Sequence, residues 1–385
     1  MIVLKIQREN TTQSLLESSL WNRLAGGNPL RQSTWLLAWW EAFADTLGSD
    51  AEPYVITARQ ADGALLAALP LVRYRERGRR RLIAFGQGEA CTDHVSILTL
   101  AKYDTQVAGI TIGRWLASVA DSSEDGWDQL DIDGMVEGDP AVIGLATGLE
   151  QRQAVVRATS RMSVWCKPTR GETWQEHLCS ISKSSRRKMK ARCHRVANDV
   201  ALAWQTTESV EDVTRQINQL IEIHQRKWES AGQPGSFAND SMRRFITSVV
   251  VQFFQQQRLR LPLLMHEGEL IAGELQVVGD DGVLYSYMSG MEPRFEALEP
   301  GRIITATTLR HVYETGMMGL DMLRGDETYK QRIRGEPRRL LQLQAEAPSM
   351  TPQLKKAAWS AAFEVKQWVR GQLGRSPVVS VDLHQ

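Results

Sequence analysis

The sequence predicts an α/β (α+β) protein with two mixed-sheet domains, and three observations carry that expectation. Residues 282–334 read as strand, loop, helix, strand, charged turn and helix, with proline and glycine where the chain must turn. A coarser strand, helix, strand succession recurs in the first half. The chain has 385 residues, more than one ordinary domain, and 42% of them are hydrophobic, enough for two cores. The expected division is an N-terminal domain at 1–168, a C-terminal domain at 169–348, and an amphipathic helix with a tail at 349–385.

Composition excludes several classes. A net charge of +1 gives no global attraction to DNA or to an anionic membrane, so any anion binding must come from a local patch. Cys91, Cys166, Cys179 and Cys193 contain no C-x-x-C pair, which argues against a zinc site, and four thiols are too sparse for a disulfide framework; no metal is expected. A reduced, cytoplasmic setting is expected. The first ten residues lack the charged and long apolar segments of a signal peptide, and no run reaches membrane-spanning length.

In the first half, residues 16–43 carry helical periodicity, with Ser33 expected as the cap of TWLLAWWEAF. Trp35, Trp39, Trp40 and Phe43 fall at helical spacing and read as core rather than as a stacking platform. Residues 53–59, 65–74 and 82–85 are expected antiparallel strands joined by short turns. Gly86-Gln87-Gly88 is no dinucleotide loop, because Cys91 replaces the third glycine and no helix follows. Asp93 beside His94 can orient or deprotonate a substrate amine, or can be a polar turn. A helix at 110–119 and a strand at 127–132 complete this half.

The pattern breaks at Pro168 and Gly171, the expected domain boundary. A helix from Trp174 leads into SKSSRRKMKARCHR at 182–195, which contains no acidic residue. Lys183, Arg186, Arg187, Lys190 and Arg195 approach one helical side, which suits docking of a polyanion or a solvated face. Residues 210–230 form a long amphipathic helix carrying His224 on its apolar face, and 242–256 another helix. Residues 259–265 and 270–278 make a hairpin. Glu274 sits inside the second strand: buried, its pKa rises and it suits a general base; at a wet strand end, it is a surface carboxylate.

The 282–334 segment organises the rest. Strand alternation puts Tyr285 and Tyr287 on one face. Glu299-Pro300-Gly301-Arg302 then opens a helix whose free N–H groups, at Gly301, Arg302, Ile303 and Ile304, form an anion site. That helix stops at Gly316, and a strand at 318–323 delivers Asp321, Arg324, Asp326, Glu327, Tyr329 and Lys330 to one end. Asp321 and Asp326 are candidate bases or amine anchors, while Asp326-Glu327 also suits a helix start. Lys330 is a candidate for phosphate or substrate carboxylate. Residues 338–345 close the sheet, and 354–373 form an amphipathic helix that packs on the protein or a partner.

The succession LYSYMSG, PGRII and GLDMLRGDETYK resembles the acyl-CoA-binding half of a GNAT-type acyltransferase, and more narrowly the CelD/BcsL-like group; LIEIHQRKWESAGQPGSF at 220–237 and the basic segment resemble it too. The resemblance covers about 174–343 and implies a tandem GNAT-like fold whose N-terminal copy is degenerate. It also implies acetyl-CoA or another acyl-CoA as co-substrate, backbone groups at Met288 and Ser289 serving the oxyanion, and the Gly301 to Ile304 amides cradling the pyrophosphate. Tyr329 takes the place of the general acid, and His224 joins Tyr285, Tyr287 and Arg324 on the substrate side.

The function so implied is N- or O-acyl transfer to a sugar or small amine, in exopolysaccharide, cellulose or cell-envelope biosynthesis. Two alternatives stay open. Tandem acyltransferase-like domains with a basic helix are also similar to FemX-type ligases, which use aminoacyl-tRNA, and the fold can serve as a non-catalytic scaffold of a polysaccharide synthase complex.

Overall fold

The computed structural model describes residues 4–101, 103–348 and 378–383, with Ser360, Phe363, Glu364 and Gln367. The expected helix at 354–373 lies outside the described residues apart from those four positions, which are helical. In chain order the elements are β1 (Lys5–Glu9), α1 (Gln13–Leu16), α2 (Ser18–Leu24), α3 (Ser33–Phe43), β2 (Glu52–Arg59), β3 (Leu65–Glu76), β4 (Arg79–Ala84), β5 (Leu98–Thr99), α4 (Thr105–Ser118), β6 (Gln129–Val136), α5 (Pro140–Glu150) and β7 (Val155–Pro168). There follow α6 (Trp174–Ser180), α7 (Lys183–Asn198), β8 (Leu202–Gln205), α8 (Val210–Ser230), α9 (Asp240–Gln255), β9 (Leu259–Arg260), β10 (Leu263–His266), β11 (Glu269–Val278), β12 (Val283–Met291), α10 (Pro300–Glu314), β13 (Gly319–Arg324), α11 (Thr328–Arg332), β14 (Glu336–Glu346) and β15 (Val379–Val381).

Two compact units result. The first comprises Met1–Gly26, Leu30–Ser163 and Arg338–Gln385, and the second Gly27–Pro29 and Val164–Pro337. The first holds strands in the order β1-β2-β3-β4-β6-β14, antiparallel except for β4 and β6. Trp35 and Trp39 are buried, and their indole N–H groups are satisfied by Thr92 Oγ1 at 2.8 Å and the Gln87 carbonyl at 3.1 Å, so these rings are core. Ser33 is the first helical residue of α3 rather than its cap; Gln32 occupies the cap.

The second unit has the order β7-β13-β12-β11-β10-β8, with β7 entering it from Val164 onward. Its helices start where side chains can satisfy free amides: Thr173 and Glu176 form a capping box on α6, Ser182 caps α7, and Ser209 caps α8. α10 starts with Pro300 and ends in a Schellman turn, with Gly316 at φ +69° and the Met317 N–H returning 3.0 Å to the Val312 carbonyl. The hairpin at 266–269 turns through Glu267 and Gly268, both at positive φ, while Pro262 interrupts the expected strand at 259–265 into β9 and β10. β7 runs to Pro168, through part of the segment where the sequence pattern broke, and Val164 to Pro168 pair with β13.

One feature of the sheet makes room for a site. β12 and β13 run parallel, and β13 pairs with β12 only at Val283, Leu284 and Tyr285. Beyond Tyr285 the two strands part. A bulge at the same point in β12 puts Ser286 opposite Gln276 and Met288 opposite Leu275, leaving Tyr287 out of register. The expected alternation of Tyr285 and Tyr287 is therefore broken there.

Candidate functional site

A cleft of about 910 Å³ lies in the second unit where β12 departs from β13, bounded by β11, β12, α7, the start of α10 and α11. Gly273 and Glu274 come from β11, Ser289 and Gly290 from β12, Gly301, Arg302 and Ile304 from α10, and Tyr329 from α11. Gly273 and Gly290 are tightly packed: a Cβ on Gly273 would lie 2.6 Å from Leu263 Cδ2, and one on Gly290 2.8 Å from Ile223 Cγ1 and 3.0 Å from the Leu220 carbonyl oxygen. Gly301 is different, since a Cβ there would meet only Met291 Sδ at 3.7 Å.

Glu274 is largely buried and opens onto this cleft. Its carboxylate accepts from Ser286 Oγ and Gln276 Nε2. Burial pushes its carboxyl above the usual range, against those hydrogen bonds and the positive fields of Arg260 and Lys330. Tyr329 lines the same cleft, and burial, then the charges of Glu274 and Glu327, push its phenol up. Glu274 thus tends to hold a proton longer than an exposed carboxylate, while Tyr329 stays a phenol that can donate one.

The start of α10 is more occupied than the sequence suggests. The Arg302 and Ile303 amides donate to the Glu299 carbonyl at 3.0 and 3.2 Å, and the Ile303 side chain is fully buried in the core. Of the four amides expected to bind an anion, that of Gly301 is the one facing the cleft without such a backbone acceptor among the described residues, and Arg302 contributes its guanidinium instead. The Glu299 carboxylate is bridged by Arg192 at 2.9 Å and by Arg302, and it is held below the usual range chiefly by the Arg192 hydrogen bond.

Lys330 is elsewhere employed. Its ammonium is buried and donates to the carbonyls of Leu323, Arg324 and Gly325 at 3.2, 3.0 and 3.1 Å, with Glu327 at 2.9 Å. Three protons on four acceptors leave nothing for a phosphate, so Lys330 is a clamp on the turn after β13. Asp321 is buried on β13, opposite Tyr285 and Cys166, and accepts the Leu323 N–H at 2.9 Å, steadying a residue at φ +50°. Asp326 is exposed and accepts from Trp165 Nε1 at 3.3 Å; Glu327, at the cap of α11, makes no side-chain capping hydrogen bond.

Other expected residues also fall outside the cleft lining. Tyr285 is buried and donates to Asp281 Oδ2 at 2.6 Å, and Met288 is buried beside exposed Ser289. Tyr287 and Arg324 are half-buried and do not line it. His224 packs edge-on against Phe237 and accepts from Trp228 Nε1 at 3.0 Å; burial, then Lys227, pushes its pKa down to about 4, so it is a neutral packing ring. Asp93, fully buried, and His94, at φ +62° with its carbonyl accepting from Arg31 Nε at 2.5 Å, belong to the first unit.

The basic helix does reach the site, by another face. Ser184, Lys188 and Arg192, spaced by four, line the cleft with Ser185 and Met189, whereas Arg186 donates to the carbonyls of Cys179 and Ile181. Lys227 and Arg332 add two cations that sequence reasoning missed to a lining that also carries Glu296, Glu299 and Glu327. The spacing of 184, 188 and 192 was visible, but the face turned to the cleft depends on Met189, the buried residue of α7.

The parted parallel strands, the helix beginning beside the gap and the cleft between them define a GNAT-type acyltransferase fold, α/β (α+β) with a mixed sheet. Residues 183–331, inside the second unit, match the acetyltransferase (GNAT) domain family. No curated protein sequence matches the chain. Among solved structures, the crystal structure of FemX superposes at a TM-score of 0.58 with 12% identity, over 88% of this chain and 96% of that one. A conserved protein of unknown function from Bacteroides thetaiotaomicron VPI-5482 gives 0.51 at 11% identity, over 90% and 100%. A tandem GNAT protein from the clavulanic acid biosynthesis pathway gives 0.46 at 13%, also over 90% and 100%. The likeness to FemX is one of fold, and its coverage takes in parts of both units.

Proposed function

We propose that the chain is an acyl-CoA-dependent acyltransferase, with acetyl-CoA as the default donor and an amine or hydroxyl of a sugar or other small molecule as acceptor. The observation that carries this reading is the meeting of Glu274, Tyr329 and the Gly301 helix start in one cleft, where β12 leaves β13. The acceptor nitrogen or oxygen attacks the thioester carbonyl carbon and loses its proton to Glu274. Amides of β12 around Ser289 face the developing oxyanion. As the C–S bond breaks, Tyr329 gives its proton to the departing thiolate. Lys188, Arg192 and Arg302, with the Gly301 N–H, hold the donor phosphates. The CelD/BcsL-like resemblance is the ground for proposing a role in exopolysaccharide or cell-envelope synthesis, and a cytoplasmic setting is part of the same proposal. Among the described residues no helix is long and apolar enough to cross a membrane.

A second donor, aminoacyl-tRNA, is favoured by one observation: Lys183, Arg187, Lys188 and Lys190 of α7 lie within ion-pair distance of no carboxylate among the described residues. Calorimetric titration with acetyl-CoA and longer acyl-CoAs, against the parent and Gly301→Val, separates the two. Binding in the micromolar range that weakens at least about tenfold in Gly301→Val is the expected result. A folded parent that binds no acyl-CoA but retains tRNA at low salt would replace the donor.

A further inference from the structure

A row of polar side chains crosses three strands beneath the cleft. On β11, Gln276 stands opposite Arg260 of β9 on one side and Ser286 of β12 on the other, and Glu274, two residues along, shares its face. Gln276 is fully buried. Its Nε2 donates to Glu274 Oε2 and, at 2.9 Å, to Thr308 Oγ1 of α10, while its Oε1 accepts from Arg260 Nη1. Both amide hydrogens and the amide oxygen are engaged. Turned over, the carboxamide would set its oxygen against a carboxylate and its NH₂ against a guanidinium, so it has one orientation.

That orientation links a cation to Glu274 through a polarised group that is itself fully buried. Burial alone favours the neutral carboxyl, and an unpaired buried charge is costly. Arg260, reaching through the amide, opposes that tendency from the β9 side. From α11, the Lys330 ammonium adds a weaker positive field and the Tyr329 phenol faces the same carboxylate. Arg260 itself does not line the main cleft; it borders a separate cavity of about 250 Å³ with Trp204 and Pro262. Arg260 therefore acts on Glu274 from behind the cleft wall, by its field and by the hydrogen bond it gives to Gln276.

The geometry points to Arg260 and Gln276 as positioning residues that keep Glu274 aimed into the cleft and favour its carboxylate form against the effect of burial. The inference rests on the reading of Glu274 as the proton acceptor of the proposed reaction. The test is a carbon-13 titration of the full chain labelled at the glutamate carboxyl carbon, the Glu274 signal being the one lost in Glu274→Gln. Arg260→Met and Gln276→Leu are each expected to raise the Glu274 midpoint by about one pH unit or more, and Arg260→Lys by less. A midpoint unmoved in folded Arg260→Met overturns the proposal. If that variant does not fold, Thr308→Val removes only the hydroxyl that steadies the amide; there too the midpoint rises, or the proposal fails. The titration needs no acyl donor. Failure of acetyl-CoA to bind would therefore remove the reaction and leave the relay standing, while an unmoved midpoint with intact donor binding removes the relay alone.

Discussion

Lys330 shows how far a residue's chemistry depends on which way its side chain runs. A lysine after Gly-Asp-Glu-x-Tyr is a reasonable phosphate ligand on the sequence, yet here the ammonium closes the turn made by Leu323, Arg324 and Gly325. Lys330→Met would leave those three carbonyls without their donor, and the expected outcome is a loss of about 3 kcal/mol in urea unfolding. Acetyl-CoA affinity should stay within about threefold of the parent in the same variant. A phosphate ligand would behave the other way, losing affinity at little cost in stability. Glu274 and Tyr329, by contrast, both line the cleft. Sequence could supply them because a carboxylate in an apolar strand and a tyrosine after a turn are local signals. It could not supply the direction of Lys330, which is set by the positive φ at Leu323 and Gly325.

At the scale of elements, the same limit appears in α5, which the sequence did not suggest. Residues 140–150, PAVIGLATGLE, have no polar face, and two glycines lower the helix propensity. The glycines are there for contact: α4 and α5 cross backbone to backbone through Gly109, Gly113, Gly144 and Gly148. A Cβ on Gly144 would lie 2.2 Å from the Gln106 carbonyl oxygen, and one on Gly148 2.3 Å from that of Ile110. Neither neighbour is a side chain that can swing aside, so Gly144→Ala must push the helices apart. A destabilisation of about 2 kcal/mol or more is expected, read as a lower urea midpoint. Gly301→Ala is the control at the start of α10, where the added methyl meets only a methionine sulfur at contact distance, and its midpoint should match the parent. Equal stability of the two variants would contradict the close crossing. Elements with an amphipathic stripe, such as α8, were legible; those whose pattern is written in close backbone contact were not.

For the whole molecule, the balance of 46 basic and 45 acidic residues means that charge repulsion changes little as the pH first falls below neutrality. Individual buried groups therefore govern the early acid limb. His177 is fully buried, stacked on Trp174 and Tyr313 with ring centroids 5.6 and 5.1 Å away, and burial, then Lys167, pushes its pKa down to about 4. His224 is pushed to about 4 as well. Between about pH 6.5 and 4 the unfolded chain takes up protons that the folded chain refuses, so stability is complete above 6.5 and falls as the pH drops. The slope is at most about 1.4 kcal/mol per pH unit for each histidine. Below about 4 both states are protonated and this loss stops. Glu274 acts in the opposite sense, because its raised folded pKa favours the folded state as acid protonates it. Unfolding in urea at intervals from pH 7 to 4 should show a shallower decline for His177→Phe, whose ring suits the same aromatic stack, and for His224→Phe. Terms common to parent and variant, including accumulated positive charge, cancel in that comparison. If the variants instead track the parent with a constant offset, the two imidazoles do not set the acid limb, and the decline must come from carboxylates paired in the folded chain, with Glu299 between Arg192 and Arg302 the first to exchange for glutamine.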